Sequence, residues 1–172
     1  MSTIAIEFAL NGSKRTASVP ASQLLIDYLR DTLDLKGARI GCSRGACGAC
    51  TVLINGTPVA ACSSFAFQID GKSVETIEGL ESNGAMHVIQ QSFIDHAAFQ
   101  CGYCTSGMIL LTKAMIEHET RPDRGTIVDW VSSNICRCSG YPQIIAAMED
   151  AVSRTANAGA GEKPAAGIGA ES

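Results

Sequence analysis

The sequence predicts an α+β protein in which a small sheet with one helix is followed by a group of helices. Two patterns predict this order. In the first part of the chain, apolar residues alternate with other residues, and Asn11-Gly12 and Asn55-Gly56 are strong signals for hairpin turns. From about Glu78 onward, apolar residues recur at helical spacing instead. The change of period divides the chain into a sheet region and a helical region.

The elements of the sheet region are expected in the order ββαβββ. Apolar residues at positions 4, 6, 8 and 10 alternate as in a half-buried strand. A helix is expected from Leu24 toward Gly37, because the leucines in this stretch share one helical face. The predicted strands are residues 4–10, 14–19, 51–54, 59–61 and 73–77. Together they predict a small sheet folded over one helix.

The helical region is expected to contain four helices. Thr126 with Asp129 is interpreted as the capped start of the third helix, and Pro142 suits the first turn of the fourth. From Thr155 onward the chain has almost nothing to bury, which predicts a flexible tail. The predicted helices are centred on residues 88–97, 108–116, 126–130 and 142–152. The predicted domains are residues 1–80 and 81–154, followed by the tail at 155–172.

Charge and composition exclude some classes of function. The 172 residues carry a net charge of −4 without a run of Lys or Arg, which argues against binding of nucleic acid. No apolar segment approaches the length of a membrane span. The first ten residues lack the features of a secretory signal, so the eight cysteines are expected in a reducing compartment, the cytoplasm by default. Export together with a signal-bearing partner stays open.

The first four cysteines have the spacing of metal ligands. Cys42, Cys47 and Cys50 follow the pattern C-x4-C-x2-C, and Cys62 comes eleven residues later. We call these four the Cys42 group. This is the plant-type ferredoxin arrangement, in which four thiolates bind a 2Fe-2S cluster. The glycines at positions 41, 45 and 48 lack a Cβ atom, so we expect the backbone there to take left-handed angles and to bring N–H groups close to the cluster sulfurs.

The other four cysteines form a second set, the Cys101 group. Cys101 and Cys104 lie before one predicted helix, and Cys136 and Cys138 lie before another. If these helices pack together, the two loops converge and present four sulfurs to a second 2Fe-2S cluster. A zinc site at these cysteines, and a disulfide scaffold for the whole chain, are the weaker alternatives.

Three motifs around the cysteines resemble one family. The strings are GCSRGACGACTV at 41–52, QCGYCTSG at 100–107 and NICRCSGY at 134–141. They are similar to the iron-sulfur region of the xanthine oxidase family of molybdenum hydroxylases, which in bacteria is often a separate small subunit. The resemblance implies an N-terminal β-grasp ferredoxin-like domain and an all-α four-helix-bundle domain, each with one 2Fe-2S cluster.

The resemblance also implies partners and roles. Molybdopterin, expected as the cytosine dinucleotide, would lie on a large subunit against Gln100 and Cys138. Electrons would pass from molybdenum through the Cys101 group and then the Cys42 group. The acceptor would be FAD on a medium subunit or haem on a cytochrome subunit. No substrate site is expected on this chain, and a free-standing two-cluster carrier or sensor is the alternative function.

Two residues depart from the commonest strings of the family. Ser106 stands where proline is usual, and Ser139 stands where threonine is usual. We expect Thr105 and Ser106 to cap the following helix through their hydroxyl groups. Neither departure is expected to remove a cluster, since neither residue is a ligand.

Overall fold

The structure is a computed structural model that describes residues 2–81 and 84–159. It is an α+β fold, with a mixed sheet in the first part of the chain and helices in the second. The predicted class is therefore confirmed.

Five strands form one sheet in the order β2-β1-β5-β3-β4. The β1–β2 and β3–β4 pairs are antiparallel hairpins, whereas β5 is parallel to β1 and antiparallel to β3. Asn11 and Gly12 both have positive φ angles, 49° and 79°, and Asn55 and Gly56 have 49° and 78°. Two consecutive left-handed residues are what a tight two-residue hairpin requires. The strands are β1 (Thr3–Leu10), β2 (Ser13–Pro20), β3 (Thr51–Ile54), β4 (Thr57–Ala60) and β5 (Ser73–Glu75).

The helix of the sheet region is shorter than predicted. Helix α1 covers Leu25–Asp27 and continues as one π-helical turn, Tyr28–Thr32. The N–H of Leu35 then donates to the carbonyl of Leu29 at 2.9 Å, and Asp34 takes a left-handed φ of 57°. A left-handed residue of this kind ends a helix, so the chain turns away before Gly37.

Strands β4 and β5 also end earlier than predicted. Strand β4 ends at Ala60, and the 3-10 turn Ala61–Ser63 follows. Cys62 therefore lies in a turn and not on a strand. Strand β5 ends at Glu75, and residues Ile77–Gly79 form another 3-10 turn.

Four helices form the described part of the helical region, as predicted. The third begins earlier than expected, because the side chain of Asp123 accepts a hydrogen bond from the N–H of Thr126 at 2.8 Å and caps it. Asp123, and not Thr126 with Asp129, is therefore the cap. The helices are α2 (Val88–Asp95), α3 (Thr105–His118), α4 (Arg124–Val131) and α5 (Tyr141–Gly159).

Helix α5 continues past Thr155, where the sequence predicts a flexible tail. Alanines favour helix, and the hydroxyl of Thr155 donates to the carbonyl of Ala151 at 2.8 Å. The prediction is wrong for residues 155–159, and residues 160–172 lie outside the described part. Pro142 lies in the first turn of α5, as predicted.

Strand β3 joins two hydrophobic cores. Val52 packs with Leu25, Leu29 and Val74 in the core of the sheet region. The next residue, Leu53, points to the other face and packs with Met108 of α3 and its neighbours in the helical core. Both strand residues are fully buried. Both faces of the sheet are therefore covered at β3. The loops that flank β3 lie close to the helices as a result.

Among the described residues, we find no helix with the length and apolarity needed to cross a membrane.

Candidate metal centres

The Cys42 group forms where the loop of residues 41–50 meets the turn after β4. The loop contributes Cys42, Cys47 and Cys50, and the turn contributes Cys62. The backbone N–H of Gly45 donates to the Sγ of Cys62 at 3.3 Å, and the N–H of the next residue donates to the Sγ of Cys42 at 3.3 Å. N–H groups directed at sulfur stabilise negative charge there, which suits thiolate ligands.

The glycines of this loop act in two different ways. Gly45 and Gly48 have positive φ angles of 74° and 69°, as the sequence predicts. Gly41 does not, but a Cβ atom there would lie 2.9 Å from the Sγ of Cys47. Gly41 therefore provides space beside a sulfur. Ser43 also has a left-handed φ of 53°, which the sequence does not reveal.

The thiols of the Cys42 group interact in two pairs, Cys42 with Cys47 and Cys50 with Cys62. The backbone N–H of Arg44 is the main cause that lowers the pKa of Cys42 to about 6. Burial raises the pKa of Cys50 to about 12. Cys42 is thus ready to bind a cation near neutral pH, whereas Cys50 must release a proton when it binds one.

The Cys101 group lies at one end of the helical region. Cys101 and Cys104 come directly before α3, and Cys136 and Cys138 lie between α4 and α5. The N–H of Tyr103 donates to the Sγ of Cys101 at 3.5 Å. A second N–H, from Gly140, approaches the Sγ of Cys136 at 3.4 Å.

The thiols of this group also interact in two pairs, Cys101 with Cys138 and Cys104 with Cys136. The N–H of Tyr103, followed by a hydrogen bond with the side chain of Cys138, lowers the pKa of Cys101. Burial raises the pKa of Cys104 to about 12. Each group therefore contains one exposed or half-buried thiol of low pKa and one more deeply placed thiol of high pKa.

The paired arrangement fits a dinuclear cluster. A 2Fe-2S cluster takes two protein thiolates on each iron, so its four ligands come as two pairs. All eight cysteines are free thiols, which agrees with metal ligation and not with a disulfide scaffold. Within residues 2–81 and 84–159, we find no group of three or more His, Cys, Asp or Glu side chains arranged to hold a single metal ion. The assignment of the eight cysteines as cluster ligands stays a prediction that the geometry fits.

The two groups are joined by a direct backbone contact. The N–H of Ile135, which precedes Cys136, donates to the carbonyl oxygen of Cys47 at 2.9 Å. A cleft of about 390 Å³ runs between the groups, and Cys47, Cys101 and Cys104 all line it. One hydrogen bond and the peptide unit of Ile135 thus separate a residue of one group from a residue of the other.

The comparisons with known proteins agree with this geometry. A model described as a 2Fe-2S iron-sulfur cluster binding domain matches residues 24–101, and a model described as a 2Fe-2S binding domain matches residues 76–149. The chain is similar to the nicotinate dehydrogenase small FeS subunit of Eubacterium barkeri, with 43% identity over 91% of this chain and 100% of the relative. This chain belongs to the iron-sulfur subunits of the xanthine oxidase family. It is an electron-transfer subunit of a molybdenum-dependent oxidoreductase.

Solved structures are similar to this iron-sulfur subunit over nearly its whole length. Quinoline 2-oxidoreductase from Pseudomonas putida matches with a TM-score of 0.87 and 39% identity, over 92% of this chain and 99% of the matched chain. The aldehyde oxidoreductase of Desulfovibrio desulfuricans matches with a TM-score of 0.85 and 37% identity, over 91% of this chain but only 17% of that one. The same fold therefore occurs in a separate chain and within a much longer chain.

Gln100 and Cys138 of the iron-sulfur subunit lie next to each other at its surface. The side-chain amide of Gln100 donates to the carbonyl oxygen of Cys138 at 3.3 Å, and Gln100 is exposed. Cys138 is half-buried. The structure thus brings together the two residues that the family resemblance places against molybdopterin, and their contact with that cofactor stays a prediction.

Ser106 has a different role from the predicted cap. Its hydroxyl donates to the carbonyl of Gly37 at 2.6 Å, which ties α3 to the sheet region. The cap position of α3 is Cys104, without a side-chain hydrogen bond, and the hydroxyl of Thr105 is buried without a partner in the part of the chain that the structure describes. The capping prediction is wrong, because a serine here can reach a carbonyl of the neighbouring region.

Ser139, the other departure, has a left-handed φ of 59°. Its N–H donates to the carbonyl of Cys136 at 3.2 Å, which closes a turn over the cysteine pair. Serine lacks the branched Cβ that makes a left-handed angle costly for threonine.

Three residues that sequence reasoning missed also shape the site. Arg39 donates to the carbonyl of Gly102 at 2.9 Å, and the hydroxyl of Tyr103 donates to the carbonyl of Ile40 at 2.8 Å. The third is Asn134, whose side chain is so close to the Cys42 loop that only glycine fits at position 48. All three contacts join residues far apart in sequence, so spacing gives no signal for them.

Proposed function

We propose that the Cys42 group and the Cys101 group each hold one 2Fe-2S cluster, and that electrons enter at the Cys101 group and leave from the Cys42 group. The observation that carries the proposal is the 2.9 Å hydrogen bond from the N–H of Ile135 to the carbonyl of Cys47. It links a cysteine of one set directly to the residue that precedes a cysteine of the other set. In the same proposal, the sheet region is a β-grasp ferredoxin-like domain and the helical region is a four-helix bundle.

The chain's own residues would hold and tune these cofactors. Each bound 2Fe-2S cluster supplies a site that stores one electron at a time, which suits the stepwise removal of two electrons from a substrate. The N–H groups of Gly45 and Gly140 would stabilise the thiolates of Cys62 and Cys136. Burial of Cys50 would keep water away from the inner side of the first site.

Exposure supports the direction of electron flow. Gln100 and Cys101 are exposed beside the Cys101 group, which leaves that side open to the molybdopterin of a large subunit. On the Cys42 loop, Ser43, Arg44 and Ala46 are exposed, which leaves the other cluster open to an acceptor. Two exposed sites joined by a backbone hydrogen bond suit a subunit that receives electrons from one partner and passes them to another.

The partners in this proposal are a large molybdopterin-binding subunit and an acceptor subunit. The relative from Eubacterium barkeri is named as a small subunit of nicotinate dehydrogenase, which supports a separate large chain here. The cytosine dinucleotide form of molybdopterin, and FAD or haem as the acceptor, follow from the family resemblance. A free-standing carrier is not favoured, since a carrier with one ferredoxin-like cluster needs only the sheet region. A cytoplasmic location completes the proposal, because the thiols must stay reduced until iron binds.

The test is to isolate the native complex without oxygen and to measure iron, acid-labile sulfide, molybdenum and flavin. Electron paramagnetic resonance after partial reduction should show two distinct 2Fe-2S signals in a complex that contains molybdenum. Zinc without labile sulfide would contradict the cluster assignment. Two signals in a chain that purifies without a large subunit would instead support the free-standing carrier.

A further inference from the structure

Arg39 belongs to the sheet region in sequence but its side chain lies on the loop of the Cys101 group. Its backbone N–H donates to the carbonyl of Ala49 at 3.0 Å, which fixes the start of the side chain. The guanidinium group then donates to the carbonyl of Gly102 at 2.9 Å. Gly102, with a φ of 76°, lies between Cys101 and Cys104. One arginine thus holds the tight turn between two predicted ligands.

One further contact fixes the same guanidinium group, and a hydrogen bond fixes the aromatic ring that makes this contact. Its central carbon lies 5.4 Å from the centre of the Tyr103 ring, which is a cation–π distance. The hydroxyl of Tyr103 donates to the carbonyl of Ile40 at 2.8 Å, and this hydrogen bond holds the ring beside the arginine. Side chains from both segments therefore hold the loop of the Cys101 group against the segment at Arg39.

The positive charge of Arg39 has no carboxylate partner among the residues that the structure describes. Arginine stays charged at every pH relevant to proteins, so this charge is permanent. Another cationic side chain, Arg137, lines the cleft between the two groups, but it lies between Cys136 and Cys138 and is exposed. Arg39 is half-buried, and its charge is therefore screened less by water and salt.

The charge of Arg39 lies next to the loop that carries two predicted ligands. Its guanidinium group contacts Gly102 and the ring of Tyr103, which are the two residues between Cys101 and Cys104. A positive charge close to a site favours any further negative charge at that site.

We propose that Arg39 is a positioning residue that holds the Cys101–Cys104 turn and, through its charge, raises the reduction potential of the cluster at the Cys101 group. The proposal rests on the cluster assignment made above. When the oxidised cluster accepts one electron from the molybdenum centre, that centre is oxidised by one electron and the cluster gains one negative charge. Arg39 stabilises the reduced state more than the oxidised state, so electron entry becomes more favourable.

The test compares Arg39→Gln with Arg39→Lys in the assembled complex. Glutamine keeps a side-chain N–H donor but removes the charge. Lysine keeps the charge but lacks the planar guanidinium group. The readout is a redox titration followed by electron paramagnetic resonance, in which both clusters are observed separately. Tyr103→Phe is the matched control, because it removes the hydrogen bond to Ile40 and leaves the arginine charge in place.

In Arg39→Gln we expect the potential of the Cys101-group cluster to fall while that of the other cluster stays the same. The share of a single electron held by the Cys101 group should drop on the order of tenfold, as expected for one partly screened charge at close range. Arg39→Lys and Tyr103→Phe should keep most of the original potential. Equal potentials in the glutamine variant and the unmodified complex, with both signals intact, would overturn the proposal.

Two other results are also decisive. If Arg39→Gln loses the cluster altogether, the lysine variant decides: an unchanged potential supports the role of charge, and a clear fall overturns it. If the unmodified complex lacks two 2Fe-2S signals, the cluster assignment fails and this proposal fails with it. Missing signals in the unmodified complex therefore contradict the cluster assignment, whereas an unchanged potential in Arg39→Gln contradicts only the role of Arg39.

Discussion

Gly107 of helix α3 packs directly against the carbonyl oxygen of Gly48 in the Cys42 loop. A Cβ atom on Gly107 would lie 2.2 Å from that oxygen. Gly48 in turn has a φ of 69°, and a Cβ atom there would lie 1.5 Å from the side-chain oxygen of Asn134. The two glycines therefore set how closely the loop of one group approaches the elements that carry the other.

The first prediction is that Gly107→Ala separates these elements. The obstacle is a backbone oxygen that cannot rotate away, so the loop or the helix must shift. We expect a loss of about 1–3 kcal/mol in the free energy of unfolding, typical of overpacking. The two cluster signals should also change together, because their separation changes. Thermal unfolding and electron paramagnetic resonance of the complex check both effects.

Gly125→Ala is the control for this variant. Gly125 lies in helix α4, and the nearest atom to a new Cβ there is the Asp123 side-chain oxygen at 3.4 Å. Alanine in a helix is favoured over glycine by about 1 kcal/mol, so stability should stay the same or rise. A Gly107→Ala protein as stable as the Gly125→Ala protein would show that the close packing is unimportant.

The second prediction concerns the ligand assignment. Cys104→Ala should remove the cluster of the Cys101 group and destabilise the helical region, since metal binding contributes to folding. Cys62→Ala should remove the other cluster. Iron and sulfide analysis with electron paramagnetic resonance should show a different signal missing in each variant. A Cys104→Ala protein that keeps both signals would show that this cysteine is not a ligand.

Local sequence signals predicted those parts of the fold that local physics decides. The turns at Asn11-Gly12 and Asn55-Gly56 were predictable because few residues tolerate consecutive left-handed angles. The cysteine spacing predicted the two groups, whose thiols the structure does bring close together. Gly45 and Gly48 were expected for the same conformational reason, and both have positive φ.

The differences arise where contacts between distant residues decide the structure. Ser106 could cap its own helix, but it bonds to Gly37, and only the packing of the two regions reveals this choice. Leu53 lies on a strand of the sheet yet packs in the helical core. The two regions therefore share a packed interface, which the predicted domain boundary at residue 80 does not indicate. Arg39 escaped notice for the same reason, because its partner Gly102 is far away in sequence.

The third prediction concerns the side that faces the large subunit. Gln100→Ala should leave iron, sulfide and both cluster signals unchanged, because Gln100 contacts the Cys138 backbone and not a sulfur. We expect weaker retention of molybdopterin or slower turnover in the complex. Molybdenum content and reduction of each cluster by substrate are the measurements.

Gln91→Ala is the matched control for Gln100→Ala. Gln91 is a partly exposed glutamine on helix α2, whose side chain donates to Asp95 at 2.8 Å. It lies outside both cysteine groups, so its loss should change neither molybdenum content nor turnover. If the two variants behave alike, Gln100 has no special role at this surface.

The fourth prediction is a pH dependence at His87. Its Nδ1 atom accepts a hydrogen bond from the N–H of Ile89 at 3.3 Å and caps helix α2. Burial is the main cause that lowers the pKa of His87 below its ordinary 6.5, and the charge of Lys113 acts in the same direction. Since the folded state binds this proton less readily than the unfolded state, the stabilisation is complete above pH 6.5. It is lost as the pH falls from 6.5 through the lowered pKa of the folded state, where a protonated Nδ1 can no longer accept the bond.

The variant His87→Asn isolates this effect, because asparagine caps a helix without titrating in this range. We expect the unmodified protein to lose about 1 kcal/mol relative to the variant as the pH falls below 6.5, the usual contribution of an N-cap hydrogen bond. Hydrogen exchange of the α2 amides in the assembled complex measures the loss locally, with both clusters in place. Parallel pH profiles for the two proteins would show that the cap does not depend on the protonation of His87.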